Sequence, residues 1–166
     1  MVSLLAFPIL LITLLLQTVV VSNLTLISGS ADLMLLVLVA WALQDQAQHT
    51  LVWALIGGVL VSFVSATPYF APLAGYLVII GLTRLLKRRI WQVPILAMFV
   101  ATLVGTLIQH TINIVALFVA GSALPFQESF SLVTLPSMLL NMLFSLPVYV
   151  VVSDLAKWLY PAEVEI

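Results

Sequence analysis

The sequence predicts an all-α integral membrane protein, a bundle of six transmembrane helices. Three observations carry this. Hydrophobic residues make up 64% of the 166-residue chain and charged residues only 7%, against roughly 25% charged in a soluble domain. The apolar residues come in long runs, several of them close to the ~20 residues that cross a bilayer. Small and polar residues within those runs recur every four positions, which gathers them on one helix face. The length fits one domain over residues 1–166, with no stretch between spans long enough for a soluble unit.

The first span is expected over residues 3–21, with Gln17 its strongly polar member. No Lys or Arg precedes this apolar run, so it lacks the positive flank of a cleaved leader and reads as a retained helix. The second run, "LMLLVLVAWAL", has only 11 residues, residues 33–43. At 1.5 Å per residue it covers about half the hydrocarbon core. A short helix starting near Ser30 is expected, preceded by an irregular segment. Residues 28–32 should then pack on other helices or lie at the outer water edge, because irregular backbone at membrane depth needs shielding. A third span over 51–66 ends at Thr67-Pro68, since the residue before proline avoids the helical region. A fourth runs over 72–86. A fifth, over 93–120, must tilt or protrude. "GSALPFQESFS" reads as a loop, and a sixth span covers 134–159.

Arg84, Lys87, Arg88 and Arg89 are four of the five basic residues. The positive-inside rule makes this cluster cytoplasmic, and six spans then put both termini in the cytoplasm. The cluster is read as a topology signal ahead of a lipid- or partner-binding patch. Trp41, Trp53, Trp91 and Trp158 fall near the same predicted ends, as an aromatic belt does.

The inward faces are read from the four-residue rows. They are Ala54, Gly58, Ser62 and Ala66 in the third span, and Ala97, Ala101, Gly105, Gln109 and Asn113 in the fifth, flanked by Thr102, Thr106 and His110. In the sixth the row is Ser137, Asn141, Ser145, Tyr149 and Ser153. Small residues let membrane helices approach, and polar ones bond across the contact. The faces of the fifth and sixth spans are expected to meet. Pro136 is placed in a first helical turn, where its missing N–H costs least, and Pro147 at a kink.

Chemistry is sparse. The chain has no cysteine, and its net charge of −1 gives nucleic acid nothing to bind. No metalloprotease, phosphate-loop or dinucleotide pattern occurs, so neither an enzyme nor a cofactor is expected. A channel or transporter would carry more charge within its spans. His110 reads as a packing residue ahead of a proton relay. Asp32 reads as the cap of the second helix ahead of an ion or substrate ligand.

Three segments together resemble the bacterial rod shape-determining MreD family. "ADLMLLVLVAWAL" is similar to that family's Pro-Asp-Leu-Leu-Leu-Leu pattern. "TPYFAPLAGYLVIIGLTRLLKRR" resembles its proline bend followed by a Gly-Tyr helix with a basic end. "LPSMLLNMLFSLPVYVVV" looks like its Pro-Ser-x-x-x-Asn segment. The resemblance implies a non-enzymatic scaffold of the cell-elongation complex in the bacterial cytoplasmic membrane. It would dock the transmembrane segment of MreC and so act with MreB, RodA and a class B penicillin-binding protein in peptidoglycan synthesis. Asp32, Pro68, Gly75, Tyr76, Pro136, Ser137, Asn141 and Pro147 would carry architecture and docking. The family's fold is similar to the substrate-binding subunits of energy-coupling-factor transporters, so the second expectation is a vitamin-type binding subunit. The first span lacks the Ala-x-x-x-Ala dock of those subunits, which favours the scaffold.

Overall fold

A computed structural model describes residues 2–68, 70–89, 93–122 and 125–160. Helix α1 (Val2–Val19) leads through a 3₁₀ turn, Val21–Asn23, into two short strands, β1 (Thr25–Leu26) and β2 (Gly29–Ser30). They pair antiparallel, Thr25 opposite Ser30. Then follow α2 (Leu33–Leu43), α3 (Thr50–Val64), α4 (Phe70–Arg89) and α5 (Pro94–Val119). The chain closes with α6 (Phe126–Ser129), a π-helical turn (Phe130–Thr134) and α7 (Leu135–Leu159).

Four helical segments are long and apolar enough to cross a membrane: Leu5–Asn23, Phe70–Lys87, Pro94–Val119 and Phe126–Leu159. This is a helical membrane protein, but only four of the six expected spans have spanning length. Helices α2 and α3, at 11 and 15 residues, fall short. The shortness of α2 has a structural reason. It contacts all five other long helices and buries most of its side chains, among them Met34, Leu36 and Val39. A helix that is apolar all round belongs in a core, and this one is enclosed by its neighbours along most of its length.

The other helices wrap α2 as an open ring. Helix α1 packs on α3, α3 on α4, α4 on α5 and α5 on α7. Among the described residues α7 and α1 make no extended contact, so the ring has a gap between its first and last members.

The four-residue rows turn inward as expected. Ala54, Ser62, Ala97, Ala101, Thr102, Thr106, Gln109, Ser137, Asn141 and Ser145 are buried. Ala66 is the exception, exposed beyond the end of α3. Gly58 serves close packing: a Cβ there would stand 2.7 Å from the Cα of Leu73 on α4. At Gly105 a Cβ would meet Ile79 Cγ2 at 3.1 Å.

Two expectations need correction here. Trp41 and Trp53 are core residues, not belt residues: their rings stack with centroids 4.0 Å apart and both are buried. Filling the space beneath α1 and α7 outweighs any interfacial preference. Trp158 is exposed as a belt residue would be, and Trp91 lies outside the described residues. The expected loop before the last span is helical over Phe126–Thr134. Pro136 stands in the first turn of α7, as expected, although helical turns precede it. Its missing N–H leaves a carbonyl of the preceding turn without its α-helical donor. That carbonyl, Leu132 O, accepts instead from Ser28 N at 3.3 Å. Pro147 lies inside α7, which continues to Leu159.

Candidate functional site

The entry to α2 organises the polar residues. A helix start exposes N–H groups with no partner in the helix, and at membrane depth protein must satisfy them. Asp32 Oδ1 accepts from Leu35 N at 3.0 Å, the expected cap. Gln17 Oε1, from α1, accepts from Met34 N at 2.9 Å. Upstream, Asp32 N donates to Asn141 Oδ1 at 2.7 Å and Ser30 N to Ser137 Oγ at 3.1 Å, both on α7. Asn141 Nδ2 then donates to Thr106 Oγ1 on α5 at 2.9 Å. One buried amide thus ties three elements together, with α5 and α7 facing each other as the rows indicate.

The hairpin that delivers Asp32 is clamped by close approach. A Cβ on Gly29 would stand 2.6 Å from Ser137 N and 2.8 Å from Val133 O, so only glycine lets β2 lie this near α7. From α4, the Tyr76 hydroxyl reaches both carboxylate oxygens of Asp32, at 3.1 and 2.9 Å. Beside it, Gly75 makes room for the Gln109 side chain, whose amide occupies the space a Cβ would fill. Gln109 Nε2 donates to Asn113 Oδ1 at 3.2 Å. Its Oε1 is buried with no partner among the described residues. His110 Nδ1 lies 3.2 Å from Thr134 Oγ1.

These groups surround a cavity of about 270 Å³ at the hairpin end of the bundle. Helices α1, α3, α4, α5 and α7 contribute to its wall, from Gln17 to Ser137, together with β2 and the Asp32 cap that leads into α2. Asp32, Tyr76, Gln109, His110, Asn113 and Ser137 all line it. Asn141 stands behind Asp32, and Gly75 behind Gln109. The remaining sequence candidates lie elsewhere. Ser145 donates to Met142 O on its own helix at 2.6 Å. Pro68 accepts from Ala71 N at 2.9 Å in the link to α4.

Pro147 belongs to a second concavity. An apolar groove of about 350 Å³ fills the gap in the ring. Ile12 and Leu16 of α1 form one wall and Val148 and Val151 of α7 the other, with Val37 and Trp41 of α2 as floor. The Thr13 hydroxyl in this groove donates to Ile9 O of its own helix at 2.9 Å. The buried indole N–H groups of Trp41 and Trp53 have no acceptor among the described residues.

Gln17, Ser30, Ser65, Thr106 and Thr134 complete these networks without having been singled out as sites. Gln17 stood out as the lone strongly polar side chain of its apolar run, Thr106 as a flank of the fifth span's row and Ser30 as a helix start, whereas Ser65 and Thr134 carried no signal. Compared with protein-family models, with curated proteins and with solved structures, the chain finds no match in any of the three.

Proposed function

We propose that this chain is a non-enzymatic scaffold of the MreD type, seated in the bacterial cytoplasmic membrane with α2 and α3 as shortened spans. Its open ring receives the single transmembrane helix of MreC. The observation that supports this reading is the gap between α1 and α7. Lipid gives no hydrophobic drive for helix association, so shape and small polar contacts decide which faces pair. A ring of five helices around α2 is one helix short of closure, and the groove along that opening is apolar throughout its accessible wall. On α7 it runs from Phe144 to Leu155, roughly 16 Å at 1.5 Å per residue, long enough for several turns of a partner helix. The basic end of α4, with Arg84 and Lys87, fixes that end of the bundle in the cytoplasm.

Co-expression with tagged MreC, mild solubilisation and co-elution test the reading, with an unrelated single-span protein as control. The cysteine-free chain permits the sharper version. Val151→Cys should form a disulfide with a cysteine scanned along the MreC helix, with a period near 3.6 residues, while Leu85→Cys on the far side should not. Co-elution without groove crosslinks would move the interface elsewhere. No co-elution of folded protein would overturn the scaffold reading.

A further inference from the structure

We infer that the polar cavity at the hairpin end is a binding site for a small organic ammonium ion. The inference does not rest on the scaffold reading, because the cavity and the groove open between different helices.

Charge is the first argument. Among the described residues, Asp32 is the only Asp, Glu, Lys or Arg side chain in the cavity wall. Its carboxylate accepts from two neutral donors, Leu35 N and the Tyr76 hydroxyl, and forms no ion pair with a described residue. The ion pairs among described residues are Lys87–Asp45 and Lys157–Asp154, both at the opposite end. Enclosed charges are ordinarily paired or ligated, and here the protein supplies acceptors and neutral donors but no fixed cation.

The uncharged polar lining is the second argument, and it comes from different residues. Gln17, Ser30, Ser65 and Ser137 line the cavity with Asp32 and bring amide and hydroxyl groups but no cation. A protonated amine supplies the missing positive charge together with several N–H donors for such a lining. His110 and Asn113 on the same wall add neutral polar contacts that suit a substituted amine. An anion would face Asp32 with no basic side chain to hold it. The volume of about 270 Å³ falls just below the range of ligand pockets, ~300–1,000 Å³, which suits a small ligand, and is far larger than a bare metal ion needs. Among the described residues no group of three or more His, Cys, Asp or Glu side chains could hold a metal.

The absence of cysteine makes the test direct. Val61→Cys places one thiol in the cavity wall, and Gln127→Cys places one on exposed α6 as reference. Both are reconstituted in lipid nanodiscs and reacted with trimethylammonium-ethyl and sulfonato-ethyl methanethiosulfonates. The cation-to-anion rate ratio at Val61→Cys should exceed the reference ratio about tenfold, the scale on which a one-signed cleft concentrates counter-ions. Asp32→Asn should return it to the reference value. n-Butylammonium should then slow labelling at Val61→Cys at concentrations where butan-1-ol and butyrate do not. Equal ratios, no labelling, or equal protection by the alcohol or the carboxylate would overturn the inference. If Asp32→Asn fails to fold, the rate ratio and the protection series in the Asp32 background decide the matter alone.

Discussion

The cavity at the hairpin end and the groove between α1 and α7 meet at α2, the cavity at its Asp32 cap and the groove along its side chains, yet different forces hold them open. The cavity is set by directed bonds: Asn141 to Asp32 N–H and Thr106, Tyr76 to the carboxylate, Ser137 to the hairpin. The groove is set by the absence of a neighbour, and Ile12, Leu16 and Val151 along it remain exposed. Groups around the cavity are therefore committed to one geometry by the cost of leaving polar atoms unpaired in a dry interior. Groups along the groove are free to accept whatever apolar surface fits. One concavity is part of the fold, and the other is a place the fold leaves unfilled.

Substitutions can break or sharpen that contrast. Asn141→Leu should have the largest effect, because it strands the Asp32 N–H and cuts the link to Thr106. A loss of about 3 kcal/mol is expected, read as the unfolding midpoint in mixed micelles. An unchanged midpoint would remove the structural role of the amide. Gly75→Ala should cost about 2 kcal/mol by overpacking against the Gln109 amide. Adding Gln109→Ala should recover most of it, so a double-mutant cycle with no coupling would count against the contact. Tyr76→Phe removes one donor from a carboxylate that keeps its Leu35 bond, and about 1 kcal/mol is expected on the same unfolding curve. Val151→Trp, on the groove wall, should stay within ~0.5 kcal/mol of the parent. In the scaffold reading it should nevertheless lower MreC co-elution several-fold. A groove substitution that destabilised the free protein as much as Asn141→Leu would erase the distinction.

Much of the cavity was legible because lipid-like sequence makes every polar residue conspicuous. The rows on α3, α5 and α7 pointed inward for that reason, and Asp32 announced itself as a cap by standing just ahead of "LMLLVL". The bond between Asp32 and Tyr76 could not be read, since the two are 44 positions apart and each sits in an ordinary local context. The hairpin gave little sign of itself. Its tip places Ile27 at a positive φ of 58°, where the Asn-Gly or Gly-x pairs that mark tight hairpins are absent. The helical run over Phe126–Thr134 was hidden by Pro125 just ahead of it and by its own Ser and Glu, which read as a loop. The burial of Trp41 and Trp53 was hidden by their position near helix ends, where the belt preference points the other way. The open ring was illegible because a missing contact leaves no mark on the residues that lack it.

The position of α2 has a consequence for how the protein is made. This helix emerges from the ribosome after α1 and long before α7, too short to hold itself across a bilayer. The side chains that satisfy the backbone leading into it, Ser137 and Asn141, lie 107 and 109 positions later. Until α7 arrives, the hairpin and the start of α2 hold donors with nothing to meet at membrane depth. Helix α7 therefore seals the centre, and the bundle stays incomplete until the first turns of that helix have been made. A chain stalled before α7 offers insertion chaperones and membrane proteases an unpaired backbone, a mark by which an unfinished bundle is told from a finished one.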